Sequence, residues 1–113
     1  MTTRVISLRG RIHEFGPRLR DAPEDVVYVG RRWTLGGWDL PGHPLSNPFA
    51  PDTPAKKRDG TRAEVMARYR ARLLERPELL ELVPGLRGKT LACWCAPELC
   101  HADVLAELAE AGP

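Results

Sequence analysis

The run from residue 25 to residue 29, Asp-Val-Val-Tyr-Val, most constrains what this chain can fold into. It is β-branched and aromatic and is followed by Gly30, which predicts a strand. Because its apolar residues are continuous rather than alternating, we expect the strand to be covered on both faces, as in a parallel sheet. Helices must then pack on that sheet, so this run favours an α/β architecture.

The segments around this run complete a small α/β sandwich with a mainly parallel sheet flanked by helices. In chain order, the other predicted elements are a strand over residues 4–8, a capped helix after residue 61, a short helix over 78–83, a strand over 89–95 and a last helix between 97 and 111. A long irregular stretch, residues 32–60, separates the second strand from the capped helix. A connection of that length in a small domain is usually functional or mobile.

The capped helix carries the clearest local signal. Thr61 and Glu64 form the pattern of a capping box, in which each side chain bonds the other residue's backbone amide. Val65, Tyr69 and Leu73 follow at a spacing of four and predict one apolar stripe. The short helix after it is expected to start at Pro77 and to be ended by Pro84-Gly85.

Size and composition point to one domain covering residues 1–113. The net charge of +2 is mildly basic, which permits an anionic ligand but does not indicate a nucleic-acid-binding protein. No apolar run is long enough for a membrane-spanning helix, and the first residues lack a signal-peptide pattern. We therefore expect a cytoplasmic protein with no membrane partner, and nothing in the sequence sets its oligomeric state.

All three cysteines lie within the nine residues 93–101, CWCAPELCH. A disulfide framework would spread cysteines along the chain, so this cluster indicates a site. Cys93 and Cys95 are expected to share one face of the strand, with Trp94 opposite. Cys100 and His101 are expected in the first turn of the last helix, facing the sheet. The cluster therefore lies where a strand ends and a helix begins, a common place for ligand binding in α/β folds.

Three interpretations of the cluster stay open, and the residues do not decide whether the protein is an enzyme. In the first, Cys95 or Cys100 is a thiolate nucleophile and His101 its acid/base partner, since a helix start and an imidazolium both favour the anion. That enzyme would need no cofactor and would act on a small anionic substrate, such as a nucleotide or a sugar phosphate. Cys100 is favoured by the helix dipole and Cys95 by exposure.

In the second interpretation, Cys93, Cys95, Cys100 and His101 bind zinc, or the three cysteines hold an iron–sulfur cluster. The spacing argues against it, because adjacent helical residues diverge by about 100°. In the third, the protein is a small interaction protein whose cysteines are core residues. Cys93, in the middle of the predicted strand, is expected to be core in every case.

Residues outside the cluster are expected to bind the substrate. Arg31 follows the second strand and reaches the same sheet edge as Cys95 if the two strands are parallel, so it can clamp an anion. Asn47, held extended before Pro48, can present its amide. The role of the loop from Arg32 to Ser46 stays open: its tryptophans, Trp33 and Trp38, either stack on a ligand or pin the loop to the body.

Four segments, VYVGR (27–31), SNPF (46–49), DGTRAEV (59–65) and GKTLACWCAPELCHADVLAEL (88–108), resemble domain of unknown function 4326, a family of small bacterial and phage proteins. No activity is assigned to that family. The resemblance implies that one recurring pattern includes the following residues: Gly30, Arg31, Asn47, Pro48, Cys93, Cys95, Cys100, His101 and Asp103. Gly30 and Asp103 thereby join Arg31 and Asn47 as expected substrate-binding residues. The loop between Arg31 and Asn47 is long for the pattern.

Overall fold

The computed structural model of this chain describes residues 2–95, 98 and 100–111. Its strands are β1 (Arg4–Ser7), β2 (Val26–Tyr28) and β3 (Thr90–Cys93), and its helices are α1 (Ile12–Phe15), α2 (Arg62–Leu74), α3 (Pro77–Leu80) and α4 (His101–Ala111). Within the described part of the chain, the strands form one sheet in the order β1-β3-β2, and both pairings are parallel. The predicted α/β fold with a parallel sheet is confirmed.

The two faces of the sheet are covered by different parts of the chain. Alternation along β3 turns Leu91 and Cys93 towards a core formed largely with α2 and α4. Ala92, between them, turns to a second core that contains Tyr28 and Trp38. The continuous apolar run at β2 is explained by this two-sided burial.

Helix α2 begins as its sequence predicts. Thr61 Oγ1 accepts a hydrogen bond from the Glu64 amide at 3.1 Å, and the Thr61 amide donates to Glu64 Oε1 at 3.1 Å. The predicted stripe of Val65, Tyr69 and Leu73 is buried. Tyr69 also donates its hydroxyl proton to a loop carbonyl, that of Leu45, at 2.7 Å. The capped helix therefore holds the long loop as well as the sheet.

Several element boundaries differ from the sequence prediction, and one helix was not predicted. Strand β3 ends at Cys93, so Cys95 lies beyond the strand rather than at its end. The helix expected over 78–83 is only Pro77–Leu80, and Pro84-Gly85 lies inside a 3-10 turn, Val83–Leu86, because proline fits the first turn of a helix. Helix α1 was not predicted, since four residues carry little periodicity. Pro97, the earliest start considered for the last helix, lies outside the described residues.

The loop that follows β2 is anchored at several points. Trp33 and Leu40 form an isolated antiparallel bridge. Trp38 is buried and meets the Trp94 ring edge-on, with ring centroids 5.5 Å apart. Trp38 therefore pins the loop to the body, which is the second of the two roles that the sequence left open for the tryptophans. In the described part of the chain, no helix combines the length and apolarity that crossing a bilayer requires.

Candidate functional site

The site lies at the carboxyl edge of the sheet. Because β2 and β3 are parallel, with Tyr28 beside Ala92, the segments that follow them leave at the same edge. Arg31 and Cys95 therefore both line one pocket of about 250 Å³, as the sequence predicted for parallel strands. Cys93, Cys100 and His101 also line it, so the pocket opens onto the cysteine cluster.

His101 is oriented by a residue far away in the sequence, just after β2. It is the first residue of α4 and only 6% exposed. Its Nε2 lies 2.7 Å from the Val29 carbonyl oxygen, to which it donates, and this leaves Nδ1 as a lone-pair acceptor. Burial lowers the pKa of His101, against a smaller opposing effect of the Val29 hydrogen bond, so the ring is neutral at pH 7. A neutral imidazole with a free nitrogen is the form that binds metals.

Cys100 immediately precedes α4 rather than lying within it. Its amide donates to the carboxylate of Asp103 at 2.8 Å, which is half of a capping box. Because Cys100 does not have to follow the helical rotation, the divergence expected between Cys100 and His101 does not occur. Cys100 Sγ lies 3.4 Å from His101 Nδ1. The argument from spacing against a metal site is therefore wrong for these two residues.

Cys93 brings a third donor atom to the same point. Its Sγ lies 3.0 Å from Cys100 Sγ and 4.0 Å from His101 Nδ1. The donor atoms of these three residues all lie within 4.8 Å of one another, and the three residues are buried. This group could therefore hold a metal ion. Cys93 is core, as expected, and yet belongs to this group.

Cys95 differs from the other two cysteines in burial and charge. It is half-buried, whereas Cys93 and Cys100 are buried. Hydrogen bonds from Cys100 and Cys93, and a smaller contribution from Arg62, hold the pKa of Cys95 well below its usual range. The same bonds to Cys93 and Cys95, with burial, raise the pKa of Cys100. Of the three coupled thiols, Cys95 is therefore the one whose pKa is shifted towards the anionic form.

The Cys93 thiol responds to its neighbours in both directions. Its hydrogen bond with Cys100 lowers the pKa of Cys93, but the bond with Cys95 and burial raise it by more. Cys93 and Cys100 are consequently protonated thiols at neutral pH, and a metal ion would displace their protons.

Arg31 and Asn47 meet in the structure. The Arg31 guanidinium donates to the backbone carbonyl oxygens of Asn47, at 2.8 Å, and of Phe49, at 3.0 Å. Asn47 is 8% exposed, and its Oδ1 accepts from the Phe49 amide at 2.9 Å. Both residues line the pocket, so the structure brings these two predicted residues together with the cysteines.

Gly30 and Asp103 are placed differently, because Gly30 belongs to the pocket wall and Asp103 lies beside it. A Cβ at Gly30 would lie 2.5 Å from the Tyr28 hydroxyl oxygen, so any larger residue requires the Tyr28 ring to move. Gly30 itself lines the pocket. Asp103 caps the Cys100 amide, and it is absent from the pocket lining formed by the described residues.

Sequence reasoning missed Tyr28, Arg62 and the Val29 carbonyl. Tyr28 lines the pocket and accepts a hydrogen bond from Trp94 Nε1 at 3.0 Å. Arg62 also lines the pocket and pairs with Glu98 at 2.9 Å. Its position directly after the helix cap was the available signal. No sequence signal identifies a backbone carbonyl as a histidine partner.

Comparisons with known proteins place the chain in a family. It is 32% identical over 90 residues to an uncharacterized protein of Acanthamoeba polyphaga mimivirus, an alignment that covers 73% of this chain. The chain spans about 65% of the length of that relative. No solved structure matches it significantly. The family model described as domain of unknown function (DUF4326) matches residues 17–111. The chain therefore belongs to the DUF4326 family.

Proposed function

We propose that this protein binds a zinc ion through Cys93, Cys100 and His101. The observation that carries the proposal is the convergence of two sulfurs and one imidazole nitrogen within 4.8 Å in a buried position. Thiolate and imidazole are the ligands that zinc prefers, and two cysteines with one histidine form a known zinc donor set.

The separations of the donor atoms support a single ion. Tetrahedral zinc with bonds of 2.3 Å to sulfur and 2.0–2.1 Å to nitrogen separates two sulfurs by roughly 3.8 Å and sulfur from nitrogen by roughly 3.6 Å. The sulfur–nitrogen distances of 3.4 and 4.0 Å bracket that value, and the two sulfurs, 3.0 Å apart, need to separate by less than a bond length. A 4Fe–4S cluster is less well supported, because each of its cysteines binds a different iron and would need wider spacing.

The hydrogen bond on the far side of the His101 ring supports the same assignment. The Val29 carbonyl fixes the tautomer and orientation of His101, and such a hydrogen bond from the distal ring nitrogen accompanies most metal-binding histidines. We propose Cys95 as the fourth ligand, reached from the loop that follows β3. If Cys95 does not bind, the fourth position is open to the pocket, as in catalytic zinc sites.

Metal analysis of protein purified without air tests the proposal. We expect about one zinc per chain in the wild type, and none in Cys100→Ser or His101→Gln. His13→Gln is the matched control, because it removes an exposed imidazole away from the site and should leave the zinc content unchanged. Replacing zinc with cobalt should give a thiolate charge-transfer band that the two site variants lack. Folded wild-type protein that takes up no zinc from excess would contradict the proposal; iron with inorganic sulfide would favour the cluster.

A second candidate function is a cysteine enzyme that acts on a small anionic substrate. What favours it is that Cys95 is half-buried and lines the same pocket as Arg31 and Arg62. Cys95 would be the nucleophile and His101 the acid/base group. Cys100 suits that role less, since it is 1% exposed.

Thiol alkylation separates the two functions. Metal-free wild-type protein is treated with iodoacetamide across a pH series, and each cysteine is followed by mass spectrometry. An enzyme that binds no metal is expected to show Cys95 modified first, at neutral pH, with Cys93 and Cys100 inert. The series is repeated on zinc-loaded protein, where a zinc protein should show all its cysteine ligands protected. Three inert thiols and no bound metal would leave the interaction protein with core cysteines.

A further inference from the structure

The pocket beside the cysteine cluster has features that a metal site does not require. Its volume is about 250 Å³, and its wall away from the cysteines is formed by Arg31, Trp33, Asn47, Phe49 and Met66. Most of these side chains are apolar or aromatic, with a few polar groups among them, which is the usual composition of a small-molecule site. The polar groups of the pocket indicate which charge and which hydrogen-bonding groups its ligand carries.

Arg31 contributes a positive charge without a carboxylate partner. Two backbone carbonyls hold its guanidinium through Nε and Nη2, so its position is fixed while other N–H groups stay available. Among the described residues, no Asp or Glu forms an ion pair with it, and none lines the pocket. A fixed guanidinium of this kind favours an anion, and its planar shape suits a carboxylate.

Trp33 contributes a ring surface that the protein leaves partly uncovered. It is 38% exposed, whereas Trp38 in the same loop is 7% exposed. Its backbone is fixed by reciprocal amide–carbonyl hydrogen bonds with Leu40 at 3.0 and 2.9 Å. Trp94 supports it from one side, with ring centroids 5.4 Å apart. An exposed aromatic ring held in place beside a pocket favours stacking of another planar group at little entropic cost.

Asn47 contributes a hydrogen-bond donor. Its Oδ1 is used by the Phe49 amide, so its NH2 group is the end that remains. Among the described residues no acceptor pairs with that NH2 group, and since none of their buried polar side-chain atoms lacks a partner, the NH2 group is open to the pocket or to solvent. Since Asn47 lines the pocket, a ligand oxygen or ring nitrogen would satisfy it.

We propose that this pocket binds a small aromatic or heteroaromatic carboxylate, with its ring stacked on Trp33 and its carboxylate paired with Arg31. The Asn47 amide donates to the ligand's remaining acceptor. The volume of about 250 Å³ lies below the range of sites for drug-sized molecules, so one ring with its carboxylate fits and a dinucleotide does not. The inference goes beyond the metal centre, because none of these three residues belongs to the donor set.

Paired probes test charge and planarity separately. Nicotinate is compared with nicotinamide, which keeps the ring without the charge, and with cyclohexanecarboxylate, which keeps the charge without the flat ring. Binding is followed by the NMR shifts of the tryptophan indole N–H groups. We expect nicotinate to bind at least about tenfold more tightly than either control compound. Uridine monophosphate is added as a fourth probe; tighter binding of this nucleotide than of nicotinate would overturn the ring carboxylate as the ligand class.

Variants tie the binding to the named residues. Arg31→Gln should remove the preference for nicotinate over nicotinamide, and Trp33→Leu should weaken both by about tenfold. Arg31→Lys keeps the positive charge but loses the paired hydrogen bonds to the loop carbonyls. It should retain part of the preference for nicotinate over nicotinamide. Arg68→Gln, an exposed change elsewhere on α2, is the control.

The titrations are run on metal-free and on zinc-loaded protein, so that failure of the metal centre and failure of the pocket can be told apart. Nicotinate binding in both states supports the pocket whatever the metal result. The proposal is overturned by equal affinity for nicotinate and nicotinamide, or by an unchanged preference in Arg31→Gln. It is also overturned if no probe binds at about 10 mM, a concentration that would largely fill a site with a Kd of about 1 mM.

Discussion

Zinc should stabilise this protein, and replacing His101 with alanine should abolish that effect. A ligand that binds only the folded state adds RT ln(1 + [L]/Kd), which is about 2.7 kcal/mol when free zinc is about 100 times Kd. For a domain of this size, 1 kcal/mol corresponds to about 4 °C in Tm, so zinc should raise the Tm of the wild type by about 10 °C. The donor set that makes this possible is Cys93, Cys100 and His101.

The alanine variant should also be less stable without metal. His101 is 6% exposed, and its loss leaves the Val29 carbonyl without its donor at 2.7 Å and opens a cavity beside Tyr69. An unsatisfied buried carbonyl and the cavity together should cost about 2–4 kcal/mol. The variant therefore starts from a lower Tm and does not respond to zinc.

Thermal unfolding followed by circular dichroism, under reducing conditions and in buffered zinc, measures both effects. A wild-type Tm that does not rise up to about 100 μM free zinc would refute the metal centre, because even a weak structural site would be occupied there. An equal rise in wild type and His101→Ala would refute the assignment to this site and indicate surface binding.

Three further outcomes are expected. Gly30→Ala should destabilise the fold by about 2–4 kcal/mol in urea unfolding, because the new Cβ displaces the Tyr28 ring and disrupts its hydrogen bonds. A loss of stability below about 1 kcal/mol would mean that the ring moves aside at little cost. Thr61→Ala should cost about 1 kcal/mol by loss of the helix cap, measured the same way. Metal-free protein should lose stability as the pH falls below about 6.5, since burial lowers the pKa of His101 in the folded state and the unfolded state takes up the proton first. His101→Gln should reduce that slope, leaving the part due to His43, whose pKa burial also lowers.

The fold was predictable where its signals are local. The continuous run at Val26–Tyr28 indicates a strand covered on both faces, and the two-sided burial in the structure explains it. The capping box at Thr61 depends on residues three apart and forms as expected. The 3-10 turn at Val83–Leu86 was not predictable, because a proline followed by glycine is compatible both with the end of a helix and with such a turn.

The position of the candidate site in the fold was predictable from the sequence, but the arrangement of its side chains was not. The spacing of the cysteines located the cluster at a strand end and a helix start. Whether Cys100 and His101 converge depends on α4 beginning at His101 rather than one residue earlier, and helix boundaries are poorly defined by sequence. The orientation of His101 depends on the Val29 carbonyl, which is 72 residues away along the chain. Such long-range partners are set by tertiary packing.

The strand order has a consequence for how the molecule is made. Among the described strands, β3 is the central one and also the last along the chain, so neither β1 nor β2 has its partner strand until β3 has been synthesised. The sheet must close late, through contacts between distant parts of the chain, which slows folding. Cys93 ends β3, and the cluster residues follow directly after it. The step that completes the sheet therefore also assembles the donor atoms of the proposed metal centre.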